Sequence, residues 1–345
     1  MWQGVYYWKM KRRLSMKNND DLVFEVNNLQ TYFPIYEGFI KKKKVADVKA
    51  VDNVSFVVKR GETLGIVGES GCGKTTLGKS IMMLQKPTGG QVKFNMNGTM
   101  QDITKFNKDE LFNFKKQVQM VFQDPYSSLN PMKKIYDAFD EPLKTHGITS
   151  KEEREQIMID RLKTVNLQPE YIHRYPHEFS GGQRQRLCIA RALSVSPEVV
   201  VLDEPVSALD VSIQAQVLNL MQEIQKEMNL TYIFIAHDLS VVEYISDRII
   251  VMYLGNIVEI SRSEELYKNP LHPYTEALLS AIPIPVVGKA KDRIVLKGDV
   301  PSPIHKPTGC PFHTRCEKCM EICKKEVPHL RVDNEDHMVA CHLYD

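Results

Sequence analysis

Gly68-Glu69-Ser70-Gly71-Cys72-Gly73-Lys74-Thr75 has the spacing G-x-x-x-x-G-K-[ST], the Walker A pattern, directly after the short apolar run Leu64-Gly65-Ile66-Val67. Glycines at these positions let successive backbone N–H groups converge on a phosphate that side chains would otherwise hold off. Lys74 can then reach the β- and γ-phosphates of ATP, and the Thr75 hydroxyl can ligate Mg²⁺. A helix expected from about Thr76 would point its positive end at the same anion. Gly68, Ser70, Gly71, Cys72, Gly73, Lys74, Thr75 and Thr76 are the expected nucleotide contacts, with no chemistry assigned to the Cys72 thiol. A second buried-strand pattern, Val199-Val200-Val201-Leu202, ends in Asp203-Glu204. Acids at the carboxyl end of such a strand suit hydrolysis: Asp203 to hold Mg²⁺ through water, Glu204 to orient and polarise the attacking water.

Two further clusters carry chemistry. Ser180-Gly181-Gly182-Gln183 is a turn that opens a basic helical start, presenting free N–H groups and a hydroxyl to an anion. Five of the seven cysteines, Cys310, Cys316, Cys319, Cys323 and Cys341, crowd into the end of the chain, while Cys72 and Cys188 stand alone. That crowding, in a chain expected to stay in the reducing cytoplasm, points to a metal before disulfides. Thiolates in such a set hold either zinc or an iron–sulfur cluster.

The surrounding chain is that of a water-soluble protein with room for one sizeable core. It has 345 residues, of which 43% are hydrophobic and 26% charged. No apolar run approaches the ~20 residues that span a bilayer. Lys and Arg total 45 against 43 Asp and Glu, so the net charge of +2 gives no reason to expect a nucleic-acid partner. The basic start, Lys9 to Arg13, is followed by no apolar stretch, and residues 1–20 are expected to be disordered or a start-site extension.

The order of these elements resembles the ABC ATPases. Phe179-Ser180-Gly181-Gly182-Gln183 is similar to their signature sequence, with Phe179 where Leu is common. Gln123 after Val118–Phe122 matches the Q-loop, Ser207-Ala208-Leu209-Asp210 the D-loop, and His237 after Thr231–Ala236 the switch histidine. The resemblance implies catalytic roles for Glu204, His237 and Gln123, with Gln123 also sensing Mg²⁺ and the membrane partner. It implies that Ser180, Gly181, Gly182 and Gln183 complete the nucleotide site of a second ATPase subunit, with Asp210 beside it, and that an aromatic, Phe33 or failing it Tyr36, stacks on adenine.

Phe122–Pro131, Tyr175–Phe179 and Asn269–Leu279 narrow the resemblance to the ATP-binding subunits of oligopeptide, dipeptide and nickel importers, of F type. The implied partners are a D-type ATPase forming a heterodimer, two integral-membrane permeases and an extracytoplasmic binding protein. The implied place is the cytoplasmic face of the bacterial plasma membrane, and the implied cargo is peptides, with nickel or other chelates as the alternative and a soluble non-transport ATPase as a further one. Cys310, Cys316, Cys323 and Cys341 match the family's C-terminal cysteine pattern, which implies a [4Fe–4S] cluster. Cys319 departs from it and, with Cys316, leaves zinc open, with His313 and His342 able to substitute as ligands and free thiols as the remaining alternative.

The fold class that must position these residues is α/β. A P-loop core with an N-terminal antiparallel β-subdomain and a helical signature subdomain at about 111–195 is expected within 21–265, followed by a small Cys-rich metal-binding extension over 266–345. Val217, Leu218, Met221, Ile224 and Met228 recur at three- and four-residue steps, giving one apolar helix face over Val211–Met228.

Overall fold

The structure, a computed structural model, describes residues 21–38, 43–282, 294–334 and 336–345. The expectation for residues 1–20 lies outside the described residues. In chain order the strands are β1 (Leu22–Glu37), β2 (Lys43–Lys59), β3 (Thr63–Val67), β4 (Gly89–Met96), β5 (Thr99–Asp102), β6 (Val118–Val121), β7 (Val199–Asp203), β8 (Thr231–Ile235), β9 (Arg248–Tyr253), β10 (Asn256–Arg262), β11 (Arg331–Asn334) and β12 (His337–Val339). The chain divides into two compact units.

The first unit takes its described residues from Met1–Arg60, Leu64–Lys105 and His237–Asp345. Its antiparallel sheet has the order β2-β1-β4-β5, as the N-terminal expectation requires. Its other strands run β11-β12-β10-β9-β3. β3 and β9 pair in parallel, Leu64 opposite Arg248 through Val67 opposite Val251, and every residue of both is buried. A continuous apolar run with no polar alternation is what two covered faces demand. β9 returns into β10 through Leu254 and Gly255, at φ 44° and 77°, the two positive values that a two-residue primed turn needs.

The second unit comprises Gly61–Thr63 and Phe106–Ala236. Its strands β8, β7 and β6 are all parallel. The helix Val211–Met228 buries Val217, Leu218, Leu220, Met221 and Ile224, and the Tyr232 hydroxyl of β8 donates to the Met221 carbonyl at 3.1 Å. The expected stripe is therefore present, with Leu220 added and Met228 only half-buried. Helices Lys108–Gln117, Ile135–Thr145, Lys151–Thr164 and Gly181–Leu193 fill most of the remainder. A buried Arg154 to Asp140 pair at 2.6 Å ties two of them.

The C-terminal extension builds more structure than its composition suggested. β12 adds antiparallel to β10, Glu259 opposite Val339, and β11 adds to β12. Phe312 packs against Tyr253 and Tyr274 at ring separations of 5.2 and 5.4 Å. Burying such a ring is worth roughly 1.5–3 kcal/mol. Fully buried Glu259 accepts from the backbone N–H groups of Leu271 and His272 and lies 2.7 Å from Nε2 of His337 in β12.

His272 caps the helix Pro273–Ser280, its Nδ1 accepting the Tyr274 N–H at 3.1 Å. Burial lowers its pKa to about 4 from the ordinary value of 6.5, against the opposing pull of Glu259. Because the folded chain binds this proton less readily than the unfolded chain, the contribution is full above pH 6.5 and is lost as pH falls through 4. The loss amounts to about 3 kcal/mol. Urea unfolding as a function of pH should show it, and His272→Asn, which keeps a cap acceptor without a titrating ring, should flatten the curve in that window. An unchanged slope would refute this role.

Candidate functional site

In the first unit the loop from Gly68 to Gly73 runs from β3 into the helix Lys74–Ile81. Two glycines are required by space as well as by conformation. At Gly68 (φ 151°) a Cβ would stand 2.2 Å from the Met252 carbonyl oxygen, and at Gly73 (φ 106°) 2.0 Å from that of Ala50. Gly255 N–H donates to the Cys72 carbonyl and Asp52 N–H to the Gly255 carbonyl, both at 2.8 Å, so the β9–β10 turn and β2 hold the loop. The helix that follows has no side-chain cap at its N-terminus, an arrangement in which a helix end can receive an anion.

Lys74 is buried, and its Nζ donates to the carbonyls of Gly68 at 2.7 Å and Glu69 at 3.1 Å. The cation is thus held at the loop mouth by groups that a phosphate oxygen can replace. Thr75 and Thr76 are half-buried on the first turn. Ser70 and Gly71 are at the exposed part of the loop. Burial pushes the Cys72 thiol pKa up, so it stays a neutral packing group, in keeping with no assigned chemistry. Phe33, partly exposed, lies in β1 opposite Val48 of β2, two residues before Ala50. Tyr36 is more exposed, farther along the same strand.

In the second unit, Asp203 ends β7 and is almost fully buried. Glu204 follows at φ 46°, a left-handed conformation that costs a non-glycine residue roughly 1–2 kcal/mol. Its N–H donates to the Ile235 carbonyl at 2.8 Å, and its carbonyl accepts from Ser207. Gln123 Nε2 donates to Glu204 Oε2 at 3.0 Å. Two residues 81 positions apart in sequence are thereby joined. His237, which belongs to the first unit, is exposed.

Ser180 is the N-cap of the helix Gly181–Leu193, and Gln183 closes a capping box with it: the Ser180 N–H donates to Gln183 Oε1 at 3.0 Å, and the Gln183 N–H to Ser180 Oγ at 3.4 Å. Gly182 is closely covered, a Cβ there falling 2.5 Å from Ile213. Arg184 of the same helix stacks 4.2 Å over the Tyr126 ring, and Arg191 donates to the Ser128 carbonyl at 2.6 Å, so the segment after Gln123 is docked on the signature helix. Asp210 is also a cap, accepting from Ile213 N–H at 3.0 Å and Ser212 Oγ at 2.7 Å, and these bonds lower its pKa. Sequence reasoning missed the capping roles of Gln183 and Asp210, although the S-x-x-Q spacing signals the first.

The tail cysteines lie together. The Cys310 N–H donates to the Cys323 carbonyl at 2.8 Å, and Cys323, Cys341 and Cys316 all act electrostatically on Cys310. Burial pushes the thiol pKa of Cys310 to about 12 and of Cys341 to about 11. Cys319 turns its thiol to the Met320 carbonyl at 3.5 Å. The two ring nitrogens of His342 are taken by Asp345 and Glu326, and His313 Nδ1 lies 2.9 Å from the Cys310 carbonyl, which leaves His342 no free nitrogen to stand in for a thiolate. Among the described residues no group of three or more His, Cys, Asp or Glu donors is set around a single-ion position.

A phosphate-binding loop on a parallel strand, a paired acid and Q-loop, and a capped Ser-Gly-Gly helix define the class as a P-loop ATPase cassette. The ABC transporter family profile matches residues 51–207, and that of the oligopeptide/dipeptide transporter C-terminal region matches residues 258–323. The oligopeptide transport ATP-binding protein AppF of Bacillus subtilis is 54% identical over 94% of this chain and 98% of its own length. The dipeptide transport ATP-binding protein DppF of Haemophilus influenzae is 46% identical over 96% of this chain and 99% of its own. The post-hydrolysis dimer of the ATP-binding cassette MJ0796, bound to ADP and phosphate, aligns with a TM-score of 0.60 and 28% identity over 70% of this chain and 98% of that one. The chain belongs to the ABC transporter ATP-binding proteins, in the group that carries the oligopeptide/dipeptide C-terminal region. No helix among the described residues is long and apolar enough to cross a membrane.

Proposed function

We propose that this chain binds and hydrolyses MgATP to power the import of oligopeptides or dipeptides through a membrane transporter. The observation that carries the reading is the joint presence of an open, glycine-built phosphate loop with Lys74 at its mouth, a Gln123-bonded Glu204, and the oligopeptide-type C-terminal region. Lys74 and the loop N–H groups bind the phosphates, with Gly68, Ser70, Gly71, Gly73 and Thr76 around them. Thr75, Asp203 and Gln123 are the residues that would hold Mg²⁺. Glu204 takes the proton of the attacking water, His237 contacts the γ-phosphate, and Phe33 stacks on adenine.

Ser180, Gly181, Gly182 and Gln183, with Asp210, serve the nucleotide bound by a D-type partner ATPase in a heterodimer. Two permease subunits and an extracytoplasmic binding protein complete the machine, with this chain on the cytoplasmic face. Peptide cargo is favoured over nickel chelates because the relatives at 46–54% identity carry peptide-transport names. Deleting the gene should abolish uptake of a labelled oligopeptide and leave free amino-acid uptake intact; unchanged peptide uptake with lost nickel uptake would transfer the chain to the alternative.

Cys310, Cys316, Cys323 and Cys341 are the residues that would hold a [4Fe–4S] cluster, with Cys319 beside them. When bound, the cluster would cross-link four segments of a tail too small to build a large core. What supports the reading is that the segments carrying these cysteines lie together: the Cys310 N–H bonds the Cys323 carbonyl, and Cys341 and Cys316 act electrostatically on Cys310.

A further inference from the structure

The expected metal tail and the phosphate loop meet at one ion pair. Arg315, adjoining Cys316, donates from Nη1 to Glu69 Oε2 at 2.8 Å and from Nη2 to Glu69 Oε1 at 3.2 Å. Glu69 is the second residue of the Walker A loop. Its N–H donates to the Tyr274 hydroxyl at 2.9 Å, and its carbonyl is one of the two that hold Lys74 Nζ. One loop residue is therefore fixed at its N–H, its carbonyl and its carboxylate.

The Arg315 side chain is only 8% exposed and Glu69 26%, so solvent screens the pair weakly. The two bonds from its terminal nitrogens to Glu69 help to offset the cost of burying the guanidinium. A planar, bidentate fork is the strongest form of such a pair. The tail grips the other side of the loop as well. Lys306 Nζ bonds Asp52 at 2.9 Å and Asn256 at 3.1 Å, on the β2 strand and the β9–β10 turn that carry the Gly255 contact to Cys72.

Glu69 also poses an electrostatic problem. A bare carboxylate in a loop that must receive a polyphosphate would repel its ligand. Arg315 cancels that charge and holds the loop backbone at once. We infer that Arg315 is a positioning residue for nucleotide binding, through which the cysteine-framed extension braces and neutralises the phosphate loop, so that a disordered cysteine frame lowers nucleotide affinity. This rests on the P-loop reading above, and Lys74→Ala separates the two.

The test is calorimetric titration of the full-length chain with MgADP, alongside ATP kinetics of the assembled transporter and thermal unfolding of each variant. Arg315→Ala should weaken MgADP binding by roughly tenfold by exposing the Glu69 charge. The Michaelis constant for ATP should rise by the same factor with kcat little changed. The double variant Arg315→Ala, Glu69→Ala should recover most of the affinity, a sign that a purely structural contact would not give. Arg315→Lys, which keeps the charge and loses the fork, should fall between parent and Arg315→Ala, and it carries the test if Arg315→Ala does not fold. Affinity within twofold of parent for Arg315→Ala and Arg315→Lys, with Lys74→Ala abolishing binding, overturns the inference alone. A double variant weaker than Arg315→Ala also overturns it. Unchanged binding in Lys74→Ala would remove the phosphate-loop reading and the inference with it.

Discussion

Glu204→Gln is expected to lower ATP hydrolysis by on the order of 10²–10⁴-fold and to leave MgATP binding nearly intact. The substitution keeps size and planarity, so the left-handed backbone at φ 46° and the N–H bond to Ile235 remain in place. What is lost is the carboxylate that accepts from Gln123 at 3.0 Å and that can take a proton from water. An amide has no basicity for that step. ATP-bound protein should therefore accumulate, seen as retained nucleotide after rapid desalting, while phosphate release falls to the background rate. Hydrolysis at the parent rate would remove Glu204 from the catalytic role.

The second large effect concerns the tail. Anaerobically purified protein should hold about four iron atoms and four sulfides per chain, with visible thiolate-to-iron absorption. Cys310→Ser or Cys323→Ser should remove nearly all of it, because both residues are buried and their segments are joined by the Cys310 N–H to Cys323 carbonyl bond. Cys319→Ser should keep the iron, since Cys319 is not one of the four cysteines assigned to the cluster. A colourless protein with one zinc, or iron that depends on Cys319, would refute the cluster assignment.

How much of this was legible in the sequence depends on whether the signal was local. β3 and β7 were readable because strands covered on both faces become continuous apolar runs, and each run ends in residues of recognisable chemistry. The Val211–Met228 helix was readable because its apolar steps follow the helical repeat. The brace between Arg315 and Glu69 was not, because the partners are 246 positions apart and neither residue type is unusual alone. β11 and β12 escaped for another reason. Short strands among prolines carry little alternation, and what seats β12 is its pairing with β10 and the buried His337 contact to Glu259. Asp210 and Gln183 were read as nucleotide contacts, while their hydrogen bonds within this chain are helix caps. A polar residue at a helix start can do both, and spacing alone does not separate the roles.

The central claim is that hydrolysis by this chain drives peptide transport, and proteoliposomes holding the full transporter test it most directly. With peptide-loaded binding protein on one face and MgATP on the face bearing this chain, a labelled oligopeptide should accumulate in step with phosphate release. Both should stop when this subunit alone carries Glu204→Gln. Accumulation that continues at the parent rate with that variant, or in the absence of MgATP, would contradict the account.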